Sequence, residues 1–214
     1  MTPSLVITEV RRLIQDENAP VRYSDATLLG FVNQTLKRMA MLRPDLFTTV
    51  ADIPTVSGQV YQAIPAAGSR LVEIFGVSGG DAIEEVNRDE FDRAYPAWQS
   101  DAAGVPTKYM RHTRNPKGFF LYPRPQAGVQ LLAEYVVSPP DYTLLQAIIT
   151  PADEYFSTIV DGTVFLAESV DNEHVSSGRA KLFYDSFVQS LGVSGQAREI
   201  TDTERGGIGT PPEA

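Results

Sequence analysis

The sequence predicts an α+β protein in which N- and C-terminal arms form a helical bundle, an antiparallel β module is inserted between them, and an extended C-terminal tail follows. Between Pro106 and Pro140, three runs rich in aromatic and β-branched residues are separated by Pro and Gly, which is typical of antiparallel strands. On either side of this stretch, apolar residues recur about every 3.6 positions, which indicates helices. After Gly192, apolar residues become rare, so the tail is not expected to fold by itself.

Residues 1–45 are predicted to form the first helical arm. Apolar residues share one face over residues 4–15, which predicts a short amphipathic helix. Ser24 is positioned to cap a second helix, and Pro44 ends it. Because the connection between the two helices is short, we expect them to be antiparallel neighbours.

Residues 46–140 are predicted to form the β module. Alternating residues on either side of Ser57 and Gly58 predict a hairpin between residues 47–53 and 59–64. A further strand is predicted over residues 70–77, and Asn87 is positioned to cap a single helical turn. With the three runs after Pro106, the module contains roughly six to eight short strands, enough for a small sandwich or an open barrel.

Residues 141–192 are predicted to form the second helical arm, which packs with the first. Thr150 is positioned to cap its first helix, and its last helix is predicted to end at Gly192. Three acidic residues, Glu154, Asp161 and Glu168, lie seven positions apart on one face of a helix that contains no basic residue. This face has two interpretations: an ordinary solvated face, or the wall of a channel whose negative charge prevents DNA from sticking.

The composition excludes several classes of protein. The chain of 214 residues contains no cysteine, which excludes disulfides and thiolate metal sites. Its net charge of −9 disfavours broad affinity for a nucleic acid backbone. No apolar run approaches the roughly 20 residues of a membrane span, and the N-terminus lacks the pattern of a signal peptide, so we expect no membrane association.

Few residues are candidates for catalysis or metal binding. The run from Asp171 to His174 is the best metal-like cluster, but its position at a helix junction favours helix capping. The adjacent acids Glu84 and Glu85 could act on a glycan, yet neighbouring residues of a strand point to opposite faces, which favours a solvated surface. We therefore expect no catalytic residue, no metal and no cofactor.

One basic patch contains Arg111, Arg114, Lys117 and Arg124, with aromatic residues between them. The patch weakly resembles a platform for single-stranded nucleic acid. Charged turns beside core aromatic residues are the favoured interpretation.

The order of several motifs resembles the head-to-tail adaptor proteins of tailed phages, especially short-tailed ones. The resemblance covers most of residues 1–192 and rests on Leu42–Pro44, Tyr61–Pro65, Leu71–Ile74, Asn87–Phe91, Trp98, Pro106–Tyr109, Phe120–Pro123 and Tyr135–Pro139. It implies a ring, commonly of twelve copies, that docks under the capsid portal in the neck of the virion after assembly in the host cytoplasm. Double-stranded DNA would pass through the ring without specific binding.

The resemblance also implies three contact regions. The C-terminal tail, residues 193–214, would reach the portal protein, with Arg198, Ile200, Arg205, Ile208, Pro211 and Pro212 as the expected contacts. The β module would contact the tail tube or nozzle protein through Arg111, Arg114 and Lys117. Glu154, Asp161 and Glu168 would line the DNA channel. Two alternatives stay open: a tail-tube or nozzle component, and a peptidoglycan-degrading tail protein that uses Glu84 and Glu85.

Overall fold

The computed structural model describes residues 1–17, 22–170 and 177–192, without the side chain of Ser177. The chain divides into two compact units. The helical unit contains Met1–Leu46 and Pro139–Ala214, and the β unit contains Phe47–Ser138. The α+β fold class predicted from the sequence is therefore confirmed. No helix in the described ranges combines the length and apolar character of a membrane span.

Four long helices form the described part of the helical unit: α1 (Pro3–Ile14), α2 (Asp25–Leu42), α4 (Phe156–Ser169) and α5 (Ser177–Ser190). Helix α4 contacts the other three, and helices α1 and α2 also contact each other. Its fully buried residues include Ile159, Val164 and Ala167, which explains why this helix is apolar around much of its circumference. The N- and C-terminal arms therefore pack together around α4.

Of the two helix caps predicted in the arms, one is confirmed and the other is wrong. Ser24 accepts a hydrogen bond from the backbone N–H of Thr27 and caps α2, as predicted. The prediction that Thr150 caps the next arm is wrong, because a 3-10 turn at Asp153–Tyr155 precedes α4, which begins at Phe156. A close contact fixes the packing of α4: a Cβ on Gly162 would lie 2.6 Å from Thr35 Cγ2.

Seven strands and one short helix form the β unit. The strands are β1 (Thr48–Pro54), β2 (Tyr61–Ala63), β3 (Gly68–Val77), β4 (Glu84–Glu85), β5 (Lys108–Arg111), β6 (Gly118–Tyr122) and β7 (Gln130–Val137), and the helix is α3 (Arg88–Ala94). One sheet has the order β1-β7-β3, and the other has the order β2-β6-β5-β4. All pairs are antiparallel except β4 with β5, so the second sheet is mixed.

The predicted hairpin between residues 47–53 and 59–64 is wrong. Strand β1 pairs with β7, and β2 pairs with β6, so the two segments belong to different sheets. The turn around Gly58 has a left-handed backbone, with φ of 75°, but it connects sheets rather than neighbouring strands. Long-range pairing with β7 thus replaces the local pairing that the turn residues suggested.

The two sheets share one apolar core. Buried residues from β1, β3 and β7 pack together with residues from β5 and β6; they include Ile53, Leu71, Ile74, Tyr109, Phe119, Leu121, Leu131, Ala133 and Tyr135. A second cluster beside α3 contains Trp98, Met110 and Phe120. Asn87 caps α3 as predicted, because its side chain accepts hydrogen bonds from the N–H groups of Asp89 and Glu90.

Candidate functional site

The three acidic residues predicted to line a channel do not form one exposed stripe. Glu154 is exposed in the 3-10 turn before α4, and Asp161 is half-buried and accepts a hydrogen bond of 2.6 Å from Ser186 Oγ. The Glu168 side chain is only 1% exposed. The inference that all three occupy an unpaired, solvated face is therefore wrong for Glu168, while Glu154 and Asp161 stay predicted channel residues.

Glu168 lies within a buried ionic cluster of the helical unit. Its two carboxylate oxygens accept hydrogen bonds of 3.3 and 3.4 Å from Arg22, and Arg179 lies 4.0 Å away. Arg22 also donates to the carbonyl of Ile14, and Arg179 donates to the carbonyl of Leu13. Glu168 thus holds the C-terminal end of α4 beside the C-terminal end of α1. The sequence offered no sign of this role, because both arginines are far from Glu168 along the chain.

Arg111, one of the three predicted tail-side residues, forms its contacts within the β unit. Its guanidinium Nε lies 2.7 Å from Glu85 Oε1, and the group also donates to the carbonyls of Leu71 and Val72 on β3. Tyr109 donates a hydrogen bond of 2.6 Å to the same carboxylate. Burial alone would raise the pKa of Glu85, but the hydrogen bonds from Arg111 and Tyr109 outweigh it, so that the pKa is lowered.

The arrangement of Glu84 and Glu85 differs from that of a glycosidase. Glu84 forms an ion pair with Lys108, and Glu85 forms one with Arg111. A general acid needs a raised pKa, whereas the pKa of Glu85 is lowered. Within the described ranges, no group of acidic and histidine residues could hold a metal ion, and the run from Asp171 to His174 lies outside them.

Arg114 and Lys117 are exposed on a turn whose backbone is held by side chains. The Nδ1 atom of His112 accepts the backbone N–H groups of Arg114 and Asn115, at 3.1 and 3.0 Å. Asn115 Oδ1 accepts the N–H of Lys117, and its amide donates to the Tyr61 hydroxyl. We call residues 112–117 the basic turn. Neither of its two exposed cations forms an ion pair with a described residue.

The outward face of the sheet β1-β7-β3 was not predicted as a site. We define this outer sheet face by seven of its exposed and half-exposed residues: Val50, Asp52, Arg70, Glu73, Phe75, Leu132 and Glu134. Strand pairing places Glu73 and Val50 on either side of Glu134, and Asp52 opposite Leu132. Alternation in the sequence of β7 could have indicated which of its residues face outward. The pairing of the two glutamates, however, depends on the register, which shifts at three points along β3.

A pair of tyrosines shares one carboxylate near α3. Tyr122 donates a hydrogen bond of 2.9 Å to Asp101 Oδ2, and Tyr95 donates one of 3.1 Å to Oδ1. The hydrogen bond to Asp101 is the main reason that the pKa of Tyr122 is raised to about 12. Asp101 thereby connects β6 to the segment that follows α3.

The six residues predicted to contact the portal, from Arg198 to Pro212, lie outside the described residues. Of the two predicted contact regions within the described residues, neither forms a complete surface. Arg114 and Lys117 remain together on the basic turn, whereas Arg111 and Glu168 have partners inside their own units.

A protein-family model matches residues 1–209, which include every described residue. The match defines the class of protein: a structural adaptor of a phage, and thus a component of the virion neck. Within that class, the chain belongs to the SU10 adaptor protein family. The predicted resemblance to head-to-tail adaptors is confirmed, and the short-tailed type stays a prediction. No curated protein matches the chain.

Proposed function

We propose that this adaptor forms a ring that joins the capsid portal to the tail tube or nozzle and surrounds the DNA channel. The family match over residues 1–209 carries the proposal, because it extends across both units and into the tail. An adaptor must contact at least two different neighbours, and the chain offers separate regions for them: a helical unit, a β unit and a C-terminal segment. Twelve is the copy number expected for the ring.

The C-terminal segment is assigned to the portal. Residues 193–214 are rich in Gly and poor in apolar residues, so an extended conformation along a neighbouring protein is the natural way for them to gain contacts. Arg198, Ile200, Arg205, Ile208, Pro211 and Pro212 are the proposed contacts. The β unit is assigned to the tail side of the ring.

The channel wall is assigned to the acidic helical unit. Residues 141–192 contain eight acidic and two basic residues, and Glu154 and Asp161 keep at least part of their surface accessible. Negative charge on the wall repels the phosphates of DNA and keeps the polymer free to slide. Because Glu168 is buried in an ion pair, it is left out of this assignment.

Electron microscopy of purified protein mixed with portal rings of the same virus tests the proposal. We expect a second ring under the portal, with countable symmetry. Removal of residues 193–214 should abolish this docking while the helical unit keeps its circular dichroism spectrum. A full-length chain that stays monomeric and never binds the portal would contradict the proposed function.

A further inference from the structure

The outer sheet face exposes more apolar surface than is usual for a sheet face in contact with water. Val50 is 54% exposed, Phe75 is 38% exposed and Leu132 is 37% exposed, all on the side of the sheet that faces away from the core. The outward side of an antiparallel sheet is usually polar when water covers it. Grouped apolar residues at such a position are typical of a protein-binding surface.

Carboxylates alternate with these apolar residues. Glu73 and Glu134 lie directly opposite each other on neighbouring strands, and like charges in this position repel each other. Neither they nor Asp52 forms an ion pair with any described residue. A partner that supplies cations between apolar contacts would relieve the repulsion. DNA does not fit this description, because it carries negative charge and the exposed Phe75 and Leu132 would face water in a channel.

The basic turn has the complementary chemistry on the same unit. Arg114 and Lys117 project from a short loop whose backbone is fixed by His112 and Asn115. Because the loop is already ordered, binding requires little additional loss of conformational entropy. The two exposed cations thus equal the two opposed glutamates in number and are opposite to them in charge.

We propose that the outer sheet face of one copy binds the basic turn of a second copy. Two different surfaces of one chain make a head-to-tail contact, which generates a ring when the rotation between copies closes. The inference rests on the ring of the proposed function. It replaces the predicted tail-side contact of Arg114 and Lys117 by a contact between copies.

Cross-linking tests the contact directly, because the natural chain contains no cysteine. We would purify Lys117→Cys and Glu134→Cys separately, mix them with portal rings and oxidise the mixture. A disulfide between different chains is expected, and a variant with both cysteines should give a ladder of dimers, trimers and higher species. A matched pair of Lys117→Cys and Glu90→Cys should not cross-link. Dimers alone from the doubly substituted chain would indicate a symmetric contact and overturn the inference.

Reversal of the charges on each surface separately, and then on both surfaces together, provides a second test. Glu73→Lys with Glu134→Lys should abolish ring assembly, as should Arg114→Glu with Lys117→Glu, and all four substitutions in one chain should restore it. The control Glu90→Lys with Asp185→Lys makes the same change of charge at exposed positions on α3 and α5, outside the sheet β1-β7-β3, and should assemble normally. Neutralisation to Gln at Glu73 and Glu134 should raise the melting temperature of the monomer while weakening assembly.

The outcomes separate this inference from the proposed function. If the natural chain forms no ring with the portal, the proposed function fails. If it forms rings and both charge-reversed variants do so too, only the contact between copies is wrong. If Arg114→Glu with Lys117→Glu leaves the ring intact and abolishes attachment of the tail, the basic turn binds the tail protein and the inference is overturned.

Discussion

Replacement of Glu168 by Lys should unfold the helical unit far more readily than the same change at Glu154. The Glu168 side chain is 1% exposed and that of Arg22 is 9% exposed, with two hydrogen bonds between them. Removal of one partner from a buried ion pair costs about 3–5 kcal/mol, since the other charge is left uncompensated. Lysine adds a second cation beside Arg22, so we expect a loss of at least this size.

The expected change in melting temperature follows from the size of the chain. At about 3 °C per kcal/mol, a loss of 3–5 kcal/mol lowers the helical transition by about 10–15 °C. Glu154 is exposed, and its replacement by Lys should alter the free energy of unfolding by less than about 0.5 kcal/mol. Thermal unfolding followed by circular dichroism in the helix band measures both variants.

A double variant separates the ion pair from general damage to the core. Arg22→Met combined with Glu168→Leu removes both charges and should recover most of the stability, because apolar replacements of a buried pair are often neutral or favourable. If Glu168→Lys melted within a few degrees of Glu154→Lys, the reasoning from burial would be refuted. Channel charge should therefore be tested with substitutions at Glu154 and Asp161 alone.

Three further predictions concern other contacts. Gly162→Ala should destabilise the helical unit by about 1–3 kcal/mol in urea unfolding, because its Cβ would lie 2.6 Å from the Thr35 methyl group. Asp101→Asn should lower the pKa of Tyr122 from about 12 towards its ordinary value, as measured by tyrosinate absorbance. Since the folded-state pKa is raised, this stabilisation is complete below pH 10 and is lost as the pH rises from 10 to about 12. Arg111→Met should destabilise the β unit by about 1–2 kcal/mol in urea unfolding, since it leaves a half-buried carboxylate without its cation.

Each of these predictions has a matched control. Gly30→Ala adds a methyl group to α2 where no atom lies within 4 Å, so it should leave the stability unchanged or raise it by up to about 1 kcal/mol. Tyr122→Phe identifies which part of the absorbance change belongs to Tyr122. Arg111→Lys keeps the charge but loses the branched donor group, and should be intermediate. Unchanged stability of Gly162→Ala would contradict the packing argument, and an unaltered tyrosine titration in Asp101→Asn would contradict the argument on the pKa of Tyr122. Full stability of Arg111→Met would contradict the argument on the ion pair with Glu85.

The helices could be predicted from the sequence because their signals are local. Apolar spacing and the cap at Ser24 depend on residues within a few positions of each other, and the structure places α1 and α2 within a residue or two of the expected bounds. The prediction of a hairpin was wrong because strand pairing depends on residues that are far apart in the sequence. Strand β1 pairs with β7, about eighty residues away, and a turn signal at Gly58 carries no information about distant partners.

The candidate surfaces were partly predictable for a related reason. The cations of the basic turn lie together in the sequence, so their exposure on one loop was expected. Glu168 was misplaced because helical spacing alone does not reveal that Arg22, which is distant along the chain, covers it. The outer sheet face was missed, since its two glutamates come from strands that meet only in the folded sheet.

The division into units determines which part of the chain can fold first during synthesis. Phe47–Ser138 is a continuous segment, so all of its strands are present before α4 has been synthesised. Helices α1 and α2 can contact each other earlier, but their contacts with α4 form only after α4 has been synthesised. A nascent chain that ends before α4 thus contains every strand of the β unit, while α1 and α2 still lack the helix that both of them contact.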